Sequence, residues 1–559
     1  VLGAAGATFA GVLVWCGRGG LRGGLRGGLL GGLVGGAVVT LMTYALDADV
    51  TRRRSALLAL LCLVIPWALH AILDFRKERR LPWVLCAAAA WTGVTVMQIA
   101  DRSPYRTSLP PIDAATPARD APNIVLITMD TTRYDALFGD DSKERVRYIR
   151  HFADSALRFT NAIAEASHTH PSMASLLTSR FPIEHGSIST SPVIESAIPT
   201  LASHLRRAGY RTAGFLENPW LGPDFGLSEG YEYLHHSAQI SRIEAWLGRE
   251  SEAPAFLHVH LFEPHGPYEL RKPLWPRPPK GPWLDARARL GDTISAEFIR
   301  AGEVPGAHGL GPEDFAWLQD IYLSEVSAMD RWFDEFIHNA QRELGENTIF
   351  AITADHGEEF GDHGALHHGH TLYRELVHVP LLLRIPGVAA GTTEMPAGLV
   401  DIAPTLLAAA NLPPLPNAAG RSLLEAVPTN RPLVSTRFFK DDEHLFAIQS
   451  GEWKLICRTR ASVSPAAKRM DIRGDSLLGS IELYRWTEDP EERHNLIGQH
   501  ADEQERLYDQ LDDWISRALK RRAQDAVAEP QRKPSQATYE ALRSLGYSAD
   551  HLPSNANQE

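Results

Sequence analysis

Four uncharged apolar runs in the first hundred residues, at about 1–16, 27–46, 56–73 and 81–100, constrain this chain more than any other feature. In hydrocarbon every backbone N–H and C=O must be satisfied within its own segment, so runs of about 18 residues or more read as membrane-crossing helices. They predict three or four transmembrane helices over 1–100 and the lipid bilayer as a partner. A cleavable signal peptide has one such run, not several. The chain begins at Val1 without methionine, and its first run is short. This suggests a start that lacks part of the membrane region.

Charge divides the chain at the same place. Residues 1–100 hold ten Lys/Arg against four Asp/Glu, a net +6 within a chain of net -12, which leaves -18 for the rest. The 17–26 and 74–80 loops carry seven of the basic residues, against three at 52–54 and then Arg102 and Arg106. The positive-inside rule therefore places the residues after 101 outside the cytoplasm. The repeat Leu21-Arg22-Gly23-Gly24 through Gly36 puts Gly24, Gly28, Gly32 and Gly36 on one helical face, a close-packing seam between membrane helices. It runs into an apolar span rather than a polar tail and the large domain is acidic, so nucleic acid is not an expected partner. Cys16, Cys62 and Cys86 lie in apolar runs and only Cys457 lies beyond them, which excludes a disulfide framework and a cysteine metal site.

Residues 101–122, with five prolines, read as an extended tether. Short apolar runs then recur at Asn123–Met129, Arg211–Leu216, Ala255–Leu261, Asn347–Thr353 and Val379–Ile385, with helical stretches at 143–158, 171–179, 199–208 and 313–341 between them. This alternation predicts an α/β fold with a mostly parallel sheet and helices on both faces. The expected layout is transmembrane helices at 1–100, the tether, a catalytic domain at 123–479, and a small α+β subdomain with tail at 480–559. The subdomain's amphipathic helix is expected over about 502–522.

Ligands bind beyond the carboxyl ends of strands in such sheets. Those ends carry Asp130, the Glu263-Pro264-His265 stretch, and Asp355-His356-Gly357-Glu358-Glu359. Asp130, Asp355 and His356 form an oxygen and nitrogen set suited to a divalent metal. The segment from Asp355 to His370 holds five histidines and four carboxylates in sixteen residues, too many for packing alone. Upstream, Pro171 suits a first helical turn, which would leave Thr169 just before the helix N-terminus, as a hydroxyl cap or a metal-activated nucleophile. Asn218 either lines the pocket or makes a turn.

Asn123 to Arg133, Thr169-His170-Pro171-Ser172 with Leu176 to Pro182, His185-Gly186, Glu263 to Tyr268 and Asp355-His356-Gly357, in this order, resemble the sulfatase family of the alkaline phosphatase superfamily. The likeness continues through Asp401 to Leu407, Trp453 to Ile456 and Leu542 to Tyr547, and covers about 121–550. It implies an alkaline-phosphatase-like sheet, with Asp130, Asp355, His356 and Thr169 around a metal, Thr169 as nucleophile, and His265 at the ester oxyanion. His368 or His370 would steady the leaving oxygen, and spacing does not choose between them. The metal is calcium, manganese, magnesium or zinc. Two departures stand out: threonine cannot mature to formylglycine, and Met173 replaces the arginine that supports it. The resemblance therefore points to phosphoryl-handling relatives and a phosphate- or sulfate-ester substrate, on a lipid or glycan among the options. The alternatives are a sulfatase without formylglycine and an inactive membrane binding protein.

Overall fold

A computed structural model of the protein describes residues 120–187, 198–268, 310–439, 443–460 and 481–525, with a few positions besides. They belong to the second of two units into which the chain divides, Tyr105–Glu559. The predicted transmembrane helices at 1–100 and most of the tether lie outside the described residues. Among the described residues no helix is long and apolar enough to cross a membrane.

The central sheet has eight strands: β1 (Asn123–Met129), β2 (Leu157–Phe159), β3 (Arg211–Leu216), β4 (Tyr233–His235), β5 (Ala255–Leu261), β6 (Thr348–Ala354), β7 (Leu381–Arg384) and β8 (Gly391–Thr393). Their order is β8-β2-β7-β6-β1-β5-β3-β4. Only β7 runs against its neighbours; the pairs β1 with β5, β1 with β6 and β3 with β5 are parallel. Strands buried on both faces need apolar side chains at every position, which is why NIVLITM and TIFAITA show no polar alternation.

Helices cover both faces, and β1 divides its side chains between them. Val125, Ile127 and Met129 meet α1 (Arg147–Ala153), α4 (Ile240–Leu247) and α5 (Pro312–Leu344). Ile124 and Leu126 face α2 (Thr169–Thr178), α3 (Leu201–Arg207) and α6 (Ile402–Ala409). On α5, Trp317, Leu318, Ile321, Tyr322, Val326, Met329, Phe333, Phe336 and Ile337 fall at three- and four-residue intervals along one buried stripe.

The sequence expectation of one helix over 143–158 is corrected. Asp330 of α5 accepts from the amides of Tyr148 (3.1 Å) and Ile149 (2.8 Å), fixing the start of α1 at 147. The last residues of the stretch pair with β7 as strand β2 instead.

A second, antiparallel sheet joins β9 (Leu433–Phe438), β10 (Glu443–Ser450), β11 (Trp453–Arg460) and β12 (Glu482–Tyr484), in that order. α7 (Ala501–Asp525) packs Leu507, Leu511, Trp514 and Ile515 against Phe446, Ile448, Leu455 and Leu483. The expected boundary at 480 falls inside this sheet, because β11 and β12 pair across it.

Candidate metal centre and active site

The parallel register puts Met129 of β1 beside Ala354 of β6, so the next residues, Asp130 and Asp355, emerge together at the carboxyl edge. Asp130, Asp355 and His356 are fully buried, and one ligand-type atom of each lies within 4.8 Å of the others. The chain turns sharply after both strands. Thr131 sits at φ 47°, a left-handed conformation rare for a β-branched residue. Its amide reaches Asp355 Oδ1 at 3.2 Å, and Tyr322 donates to its carbonyl at 2.9 Å. After Asp355-His356, a Cβ on Gly357 would stand 1.9 Å from the Glu375 carbonyl oxygen, so only glycine fits.

Thr169 completes the cluster, from a position that differs from the expected one. It is the first residue of α2 and His168 is the cap, with no side-chain cap bond. Thr169 Oγ1 lies 3.2 Å from His356 Nε2 and 3.4 Å from Asp130 Oδ1. His356 Nδ1 donates to the Gly357 carbonyl at 2.9 Å, which fixes the tautomer. Its Nε2 lone pair is thereby left for the cluster, and burial pushes the ring's pKa down.

Burial alone would push Asp130 up, but His265, His260 and His356 together hold its carboxyl well below the usual carboxylate range. Burial and the charge of Asp130 push Asp355 well above it. Asp355 Oδ2 is buried without a hydrogen-bond partner among the described residues, 3.5 Å from His356 Nε2. Two facing carboxylates, an imidazole lone pair and a hydroxyl are the donor set of a divalent cation, whose charge would ionise both carboxylates.

The other expected residues are placed unequally. His265 is buried, its Nδ1 at the Gly266 carbonyl and its ring 5.0 Å from that of His368. His368 is buried with its ring 4.4 Å from that of His356. His370 is turned to Glu359, Nε2 to Oε2 at 2.8 Å, so His368 is the histidine brought to the cluster. Asn218 does both things weighed for it: its Oδ1 accepts from the Trp220 amide in a turn, and its Nδ2 donates to Asp130 Oδ2 at 2.7 Å.

His258 and His260 were not singled out from sequence. His260 Nε2 is 3.4 Å from Asp130 Oδ2. Thr128 Oγ1 lies between His260 Nδ1 (2.8 Å) and His258 Nε2 (3.0 Å), and Tyr231 OH meets His258 Nδ1 at 2.6 Å. The signal was present as two histidines two apart in the apolar strand β5, hence on one face beside Thr128.

Residues 122–412, just over half of the chain, match the family described as Sulfatase. The choline-sulfatase of Rhizobium meliloti is 25% identical over 405 residues, which are 60% of this chain and 78% of that protein. A low-salt glycan biosynthesis sulfotransferase of Haloferax volcanii is 27% identical over 295 residues, 51% of this chain and 60% of its own length. Among solved structures, the phosphonate monoester hydrolase of Silicibacter pomeroyi shares the fold at TM-score 0.55 and 20% identity, over 71% of this chain and 96% of that one. With both the motif order and the sheet-edge cluster in place, the chain belongs to the sulfatase family of the alkaline phosphatase superfamily.

Proposed function

We propose that this protein is a membrane-anchored, cation-dependent enzyme that cleaves or transfers the phosphate ester group of an envelope substrate through Thr169, its catalytic domain outside the cytoplasm. One observation carries the reading: an unmodified threonine hydroxyl stands at the first position of α2, within 3.4 Å of both Asp130 and His356. Asp130, Asp355, His356 and Thr169 Oγ would hold the cation. Bound there, it supplies positive charge for a non-bridging ester oxygen and lowers the pKa of the Thr169 hydroxyl.

Thr169 Oγ, its proton released to solvent, then bonds to phosphorus as the bond to the leaving oxygen breaks, giving a phosphothreonine. The N-terminus of α2 faces the added negative charge. Burial pushes the pKa values of His265 and His368 down, and each has Nδ1 on an oxygen acceptor. An anionic ester beside them favours their protonated forms. His265 would then meet the oxyanion, and His368 would hand a proton to the leaving oxygen. Water as acceptor makes the enzyme a hydrolase; an alcohol or sugar on a lipid or glycan makes it a transferase.

A second reading, sulfuryl transfer or hydrolysis on the unmodified threonine, is supported by the choline-sulfatase and sulfotransferase relatives. Assays with aryl phosphate monoesters, phosphodiesters and aryl sulfates separate the two. A phosphate preference and a phosphate adduct on Thr169 by mass spectrometry are expected. Thr169→Ala should lose about three orders of magnitude in rate or more. A strong sulfate preference would favour the second reading, and full activity in Thr169→Ala would remove both.

A further inference from the structure

Beside the first donor set stands another. Glu358 and His368 are buried and His367 nearly so, and together they offer one carboxylate oxygen and two ring nitrogens within 4.8 Å of one another. His368 Nδ1 is 2.9 Å and His367 Nδ1 3.2 Å from the same atom, Glu358 Oε1. The short antiparallel pair of Glu359–Phe360 with Leu366–His367 brings these segments together. His367 sits at φ 82°, and its ring meets that of His368 at 3.9 Å and 81°, so consecutive residues present both rings to one carboxylate. The other carboxylate oxygen accepts from Tyr268 OH at 3.0 Å.

A clamp that merely oriented His368 would need one imidazole on the carboxylate, without a non-glycine residue held in the left-handed region as His367 is. Two imidazoles and a carboxylate with an outer hydrogen bond to that carboxylate are instead the three-ligand set of an open zinc site. We propose that Glu358, His367 and His368 form a second cation site, selective for a zinc-type transition ion and adjoining the oxygen-richer site at Asp130, Asp355 and His356. The adjacency rests on the 4.4 Å between the His356 and His368 rings. In the ester chemistry described above Glu358 serves only as the acceptor for His368 Nδ1, and His367 has no part. Coordination through Nδ1 would leave the ring proton on Nε2, so His368 would present an N–H on its other edge.

The test is metal content of the full chain in detergent, stripped with chelator and dialysed against Zn²⁺, with folding followed by near-UV circular dichroism. The wild type should hold about two equivalents, and Glu358→Gln, His367→Ala and Asp355→Asn each about one. One equivalent in the wild type, or two retained in both folded Glu358→Gln and His367→Ala, overturns the second site. Should those variants misfold, Co²⁺ titration of the stripped, unaltered chain decides by visible d–d absorption, since Co²⁺ takes the nitrogen and oxygen ligand sets that zinc takes. An absorption that keeps rising through a second equivalent supports the site, and one that saturates at one equivalent removes it. A single equivalent lost in Asp355→Asn leaves the Thr169 reading standing, whereas no bound metal at all removes both.

Discussion

At Asp130, Asn218 donates to one carboxylate oxygen, with His260 on the same atom, while Thr169 and His356 approach the other. Such outer contacts set how a ligand is aimed, and their loss costs metal affinity before it costs chemistry. Asn218→Ala is therefore expected to weaken metal binding about 10–100-fold, with turnover largely restored at saturating metal. Calorimetric titration measures this, and an unchanged affinity would leave Asn218 as a turn residue only. Asp130, Asp355, His356 and Thr169 were legible because strand ends and a helix start announce themselves in sequence. Asn218 was ambiguous because one side chain serves the turn and the carboxylate together. His368 and His370, two residues apart in a loop, were separable only once Glu359 was seen to hold His370.

The 355–370 segment is fastened to the second sheet's surroundings rather than left as a free loop. His363 Nδ1 meets Glu375 Oε1 at 2.8 Å and its Nε2 meets the Glu492 carbonyl at 3.1 Å. With an acceptor at each nitrogen, the imidazolium form is favoured. Burial opposes this, but the Glu375 carboxylate outweighs it and raises the His363 pKa. The stabilisation is fully present below the unfolded histidine value of about 6.5 and is lost as pH rises through the raised folded value. The melting temperature of His363→Gln should thus fall furthest below wild type near pH 6, with the gap narrowing towards pH 9. A gap independent of pH would refute the charged contact. Glu492 is anchored in turn by Lys454 of β11, whose Nζ reaches both carboxylate oxygens at 2.8 and 2.9 Å. The second sheet itself was not read from sequence. Its strands are antiparallel and joined partly through long-range pairing, so no β-then-helix alternation marks them.

For the molecule as a whole, the +6 and -18 halves predict different surroundings. The full chain is expected to remain with membranes through alkaline carbonate extraction. Protease added outside intact cells lacking an outer barrier should cleave after residue 101. Recovery in the soluble fraction, or protection of the acidic domain, would contradict the proposed topology. Periodicity and composition alone determined the α/β class, the positions of β1, β3 and β5, and the residue types gathered at the strand ends, because these follow from local spacing and burial on two faces. Tertiary structure decided that α1 starts at Arg147 and which histidine joins the cluster. It also decided that two carboxylates 225 positions apart share one buried pocket, and that Glu358 meets two consecutive rings. Each of these depends on which distant side chain supplies a hydrogen bond or a like charge, and sequence spacing carries no record of that.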